Sequence, residues 1–147
     1  MNWHCAVFML YKKQKIMSKK SKPKKKPISQ KQKDKIKIGK KLYDSIKGKS
    51  VFCPLLDANI RFTNQGWRHL NNNRRNIYDI LRRIDLFPFV DSVIRNPTGI
   101  NPSKTMNNCC ILYGQRKVFK NGKSTKILIK VNAVKDSSGK YFFLSIC

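Results

Sequence analysis

An Asn-Gly pair near the C-terminal end constrains this fold more than any other feature. In Lys120-Asn121-Gly122-Lys123 the central residues are the preferred pair for a two-residue type I′ hairpin, which needs positive φ at both positions. Residues 109–147 therefore read as a three-stranded antiparallel meander, with Lys120 opposite Lys123 and Tyr113 opposite Lys130. A second turn signal, Asp136-Ser137-Ser138-Gly139, read as a four-residue loop sets Lys135 opposite Lys140 and Lys130 opposite Ser145. On that register Tyr113, Lys130 and Ser145 form one cross-strand row on one face of the sheet.

The two faces of the meander differ in chemistry. Leu112, Val118, Ile127, Ile129, Val131, Ala133, Phe142, Leu144 and Ile146 make a core face. Tyr113, Gln115, Lys117, Lys126, Lys130, Asn132, Tyr141, Phe143 and Ser145 make an open one, and only Arg116 and Leu128 fall against this pattern. Cations, hydroxyls and rings together suit an RNA strand, because amines meet phosphates and rings stack on bases. A face left in water gives a polar pattern too, and a one-residue slip would separate Lys130 from Ser145.

Charge decides between partner classes. The chain has 33 Lys and Arg against 7 acids, a formal net charge of +26, and every acid is Asp. Such a chain seeks polyanions, nucleic acid first and anionic membrane second. Without Glu, carboxylate-paired hydrolysis and most Mg²⁺-dependent nuclease chemistry are disfavoured, since both need clustered acids. The five cysteines (5, 53, 109, 110 and 147) form no C-x-x-C, and with only His4 and His69 they make no zinc pattern. No metal or cofactor is expected; the cysteines read as reduced, in a cytoplasmic protein, with Cys53 and Cys110 as packing residues. No apolar run approaches a membrane span.

Along the chain, residues 1–16 carry a short apolar run followed by lysines, the reverse of a secretory signal, and Met17 reads as a second start. Residues 18–37 are lysine-dominated and read as disordered, a basic arm that adds affinity for nucleic acid by counterion release. The expected division is thus a disordered extension over 1–37 and one α+β domain over 38–147. Ile38, Leu42 and Ile46 recur at helical spacing beside Tyr43, and Gly48 suits the C′ stop. Gly48-Lys49-Ser50 and Gly122-Lys123-Ser124 lack the upstream glycine and context of a P-loop. Residues 51–56, broken by Pro54, predict an edge strand, and 59–62 a second strand. Thr63 suits the N-cap of a short helix over 64–70. Residues 74–86 predict the strongest helix, with Ile77, Ile80, Leu81 and Ile84 on one face, Arg75, Arg82 and Arg83 on others, and Arg74 in the first turn. Pro88 fits N1 of a helix over 89–95, and 100–108 reads as a polar loop. Helices followed by strands define an α+β fold with N-terminal helices packed on one face of the C-terminal antiparallel meander.

His69 is the one histidine in the expected domain, and imidazole exchanges protons near neutral pH without tuning. It follows Trp67 and stands in sequence near Arg68, Arg74 and Arg75, cations that would lower its pKa. The run Phe62-Thr63-Asn64-Gln65-Gly66-Trp67-Arg68-His69-Leu70, the Arg-bearing helix ending Leu86-Phe87-Pro88-Phe89, Lys130, and the terminal Gly139-Lys140-Tyr141-Phe142-Phe143-Leu144-Ser145 are similar to the barnase–EndoU–colicin–RelE-like nuclease superfamily, in its phage and mobile-element branch. The resemblance spans residues 49–147. It implies helices packed on an antiparallel sheet whose open face holds a metal-independent RNase site. By position it implies His69 as acid/base, Lys130 with Arg74 or Arg75 as phosphate binders, and Ser145 as the last-strand hydroxyl. This chain departs from members that use a carboxylate base. Trp67 and Lys117 complete the expected RNA contacts, and Tyr113 is a stacking platform or proton donor. The function expected is an endoribonuclease, toxin-like or phage-borne, that cleaves RNA by 2′-OH attack and could be neutralised by an acidic partner protein. The alternative is a catalytically inert basic RNA-binding protein using the same face.

Overall fold

The computed structural model describes residues 26–147, so the readings made for 1–25 lie outside the described residues. Helix α1, Gln30–Ile46, begins well before Ile38. Its start is a capping box: Ser29 Oγ accepts from the Gln32 amide, and the Gln32 side chain accepts from the Ser29 amide. Lysine and glutamine are good helix formers, so once capped the polar segment 30–37, expected to be disordered, is helical. Gly48 follows with φ of +85°, as a C′ residue should.

Strands β1 (Ser50–Cys53) and β2 (Ala58–Arg61) form a hairpin that ends its first strand before Pro54. Helix α2 (Asn64–Leu70) is capped by the Thr63 hydroxyl, which accepts from the Gln65 amide. Helix α3 (Ile77–Leu86) starts three residues later than expected. Asn72 Oδ1 binds the Arg74 amide and Asn76 caps Tyr78, so Arg74 and Arg75 stand in the loop before the helix and not in its first turn. A 3₁₀ turn over Phe87–Phe89 leads into α4 (Val90–Arg95). Then come β3 (Gly99–Pro102), β4 (Cys109–Lys120), β5 (Lys123–Lys135) and β6 (Tyr141–Ile146).

The sheet is larger than the meander alone: six strands in the order β1-β2-β6-β5-β4-β3, with β2 and β6 parallel and the other pairs antiparallel. Residues 99–102, part of an expected loop, form β3; on an edge strand Pro102 removes no ladder bond that the sheet requires. The fold is α+β, with helices against one face of a mixed sheet. Tyr43, Phe62, Phe87 and Phe143 fill the space between, their rings 5.0–6.3 Å apart. Among the described residues no helix is long and apolar enough to cross a membrane.

The first hairpin has the expected register. Asn121 and Gly122 sit at φ of 53° and 71°, Lys120 pairs with Lys123, and Tyr113 pairs with Lys130. The second does not. Asp136 Oδ1 accepts from the Ser138 amide, the Ser138 hydroxyl and the Lys140 amide, which draws Lys140 into the loop and sets Lys135 opposite Tyr141. A bulge at Asn132/Ala133 shifts the pairing once more, so Ser145 faces Asn132, and the amide and carbonyl of Lys130 bond to those of Cys147. The slip also exchanges two rings: Phe143 is fully buried on the core face opposite Ala133, whereas Phe142 stands opposite Val134 on the other face.

Candidate functional site

The residues expected to converge fall into two groups. The first lies on the face turned away from the helices. Tyr113 and Lys130 are directly opposed on β4 and β5, and Lys130 has no carboxylate partner among the described residues. Ser145 is on this face but not in their row: it is 5% exposed and its hydroxyl accepts from Asn132 Nδ2 at 2.8 Å. A buried hydroxyl so engaged positions Asn132 and does not present itself to a phosphate. Asn132, two residues from Lys130 on the same face, is the polar neighbour that sequence reasoning passed over in this group.

The second group sits along the outer edge of β6. Parallel pairing with β2 covers only Tyr141 and Phe142, so beyond them that edge is free of strand. Lys130 and Cys147 make a hydrogen-bonded pair, so the preceding pair, Val131 with Ile146, is not hydrogen-bonded, and the Ile146 carbonyl points outward. Arg83 of α3 satisfies it, Nη1 to O at 2.7 Å. Helix α2 reaches the same edge because Gly66 has no side chain: a Cβ there would lie 2.6 Å from the Phe143 ring and 3.0 Å from the Phe143 carbonyl.

One carboxylate organises this edge. Asp79 accepts from Arg75 Nη1 at 3.3 Å, Arg82 Nη2 at 2.9 Å and Arg83 Nε at 2.9 Å. Burial alone would raise the Asp79 carboxyl, but hydrogen bonds from Arg82 and Arg83 outweigh it and hold the group down to about 2. Three guanidiniums against one carboxylate leave a cationic excess, and the charges of two of them, Arg75 and Arg83, act on His69. Burial lowers the His69 imidazole below its ordinary value, and the charges of Arg75 and Arg83 push the same way. Both effects favour the neutral ring over the imidazolium.

The cations whose charges act on His69 are Arg75 and Arg83. Arg74 is exposed in the loop. Trp67, expected to contact RNA, instead packs against Tyr43 at 5.8 Å between centroids, with Lys40 Nζ 5.6 Å from its ring. Lys117 is exposed and pairs across the hairpin with Lys126. Arg83 and Asp79 were legible only as an i,i+4 pair on one helical stripe, which Arg75 joins from the loop before the helix. Among the described residues no group of three or more His, Cys, Asp or Glu could hold a metal. No family model, curated protein or solved structure matches this chain.

Proposed function

We propose that the chain is a metal-independent endoribonuclease that cleaves RNA by attack of the 2′-OH on the adjacent phosphorus. Neutral His69 takes the 2′-OH proton as the O2′–P bond forms and the P–O5′ bond breaks. The 5′ oxygen leaves with a proton from solvent, and the products are a 2′,3′-cyclic phosphate and a 5′-OH. Arg75 and Arg83 neutralise the charge that builds on the phosphoryl oxygens, while Lys130 and Tyr113 hold the flanking strand. The observation that carries this reading is the cluster of Arg75, Arg82 and Arg83 around Asp79 at the free edge of β6, whose arginine charges reach His69, in a chain of net charge +26. A base and an anion stabiliser are what this reaction needs from a protein. A toxin-like or phage-borne role, and an acidic partner that covers the same cations, are further parts of this proposal.

One observation favours the second reading, an inert RNA-binding protein: Arg83 already has the Ile146 carbonyl and Asp79 to satisfy, as a structural arginine would. RNA incubated with the protein in EDTA separates the two. Cleavage leaving 2′,3′-cyclic phosphate ends, slowed about 10²–10⁴-fold in His69→Ala, supports the enzyme. Intact RNA with tight, salt-sensitive binding supports the binder.

A further inference from the structure

The β4–β5 hairpin is longer than the sheet that holds it. Neighbouring strands end at the row of Tyr113 and Lys130: β3 pairs no further than Gly99 with Tyr113, and the last β6-side bonds join Lys130 to Cys147. Beyond that row, residues 115–129 form a two-stranded ribbon with both edges unpaired among the described strands. Its direction is fixed at the base. Gly114 lies under Val93 of α4, so close that a Cβ would be 2.5 Å from the valine side chain, and the Arg116 guanidinium sits 3.5 Å from the Phe89 ring centroid.

This ribbon is built against its own charge. Arg116, Lys117, Lys120, Lys123 and Lys126 lie on it, with no acid between 115 and 129. Lys117 stands directly opposite Lys126, and Lys120 directly opposite Lys123. Like charges at facing positions destabilise an antiparallel pair, and none of the ribbon's cations is among the basic side chains that find a carboxylate in the described residues. The same face that carries Lys117 and Lys126 also exposes Phe119 at 77% and Leu128 at 53%, large apolar groups left in water.

We propose that this projecting ribbon is the seat of an unpaired RNA strand, whose phosphates lie between Lys117 and Lys126 and whose bases stack on Phe119. A polyanion relieves the repulsion within the ribbon, and a ring standing free in solvent is matched by the π-face of a base. A duplex hides those faces and offers phosphate alone, so the aromatic selects the single strand. From Phe119 to Tyr113 is six residues of strand, about 20 Å, so a strand seated at the tip runs down the same face to Tyr113 and Lys130. The proposal shares RNA as ligand with the reading above but does not depend on cleavage.

The test measures binding of labelled polyuridine and of an RNA duplex of equal length, in a His69→Ala background so that cleavage plays no part. Lys117→Gln/Lys126→Gln should weaken polyuridine binding about tenfold or more and make the slope of log K against log salt shallower by about 1.4, at about 0.7 per phosphate contact. Phe119→Ala should weaken it about tenfold and leave that slope unchanged. Without RNA, the double variant should melt at a higher temperature than its parent, because the facing charges are gone. Lys41→Gln/Lys49→Gln, exposed and outside both the ribbon and the lysine-rich segment 18–37, is the control of equal charge. Equal losses in the control and ribbon variants, unchanged affinity in the ribbon variants, or preference for the duplex would each overturn the proposal.

Discussion

Arg83 tests whether the free edge of β6 was assigned correctly. Arg83→Met keeps a long stem and removes the guanidinium. The Ile146 carbonyl then loses its partner at a position that is itself buried, which costs about 1–3 kcal/mol. Asp79 keeps Arg75 and Arg82, so only a part of the roughly 3–5 kcal/mol for breaking a buried ion pair is added. The sum is about 2–4 kcal/mol, and at about 4 °C per kcal/mol for a domain of this size Tm should fall by about 8–16 °C. Arg82→Met removes a hydrogen bond to the same carboxylate, but from a side chain 54% exposed, so the loss is under about 1 kcal/mol. Thermal unfolding of both variants reads the stability difference, and NMR titration of His69 reads the electrostatics. Losing Arg83 should let the imidazole pKa rise toward its ordinary value, whereas losing Arg82 should not move it in this way, since Arg75 and Arg83 are the cations that depress it. Equal melting losses in the two variants would refute the edge-capping argument, and an unmoved His69 in Arg83→Met would refute the coupling.

Three further outcomes are expected. Because the folded His69 pKa lies below the unfolded value of about 6.5, its contribution to stability is complete above pH 6.5 and shrinks as pH falls toward the folded pKa; His69→Gln should remove that slope from denaturant titrations, and RNA cleavage should rise with pH at a midpoint below 6.5. The Asp79 carboxyl, held at about 2 from an ordinary 3.8, contributes about 1–2 kcal/mol that is present above pH 4 and lost as pH falls through 2, so Asp79→Asn should be less stable at neutral pH and show a flatter acid limb. Gly114→Ala should destabilise by about 1–3 kcal/mol through the clash with Val93, and Gly114→Ala/Val93→Ala should cost less than the two single changes added together, as calorimetry of the three proteins would show.

Local signals were legible where one residue type fixes one conformation. Asn121-Gly122 gave the first hairpin its register, Thr63 capped α2, Gly48 closed α1, and Pro54 ended an edge strand, each acting within a few residues. The second turn departs from its expected length because one side chain sets the loop: Asp136 collects three donors, and sequence spacing does not show how many it will take. The bulge that follows depends on how β6 meets β5 and the helices, so Phe142 and Phe143 could not be told apart by pattern alone. Strand β3 and the parallel β2–β6 pairing are non-local and leave almost no periodic trace in four-residue segments.

The site was harder to read for a related reason. Arginines on a helix are ordinarily solvated, and Arg83 became a buried edge cap only because β2 leaves β6 early, a fact of topology. What the sequence did offer was the scarcity of acids. Asp79 gathers three arginines, Asp85 ties α3 to Lys35 of α1, Asp44 holds Lys40, Asp91 holds Arg95, and Asp136 shapes a loop. With 7 acids against 33 bases, these five carboxylates mark places where the fold settles its own charge. The stretch from 115 to 129 has none, although it holds facing lysines. Charge left unsettled there, on a ribbon whose base is fixed by Gly114 and Arg116, is charge available to an outside polyanion. The proposed binding surface therefore lies on the hairpin and the proposed chemistry at the edge of β6.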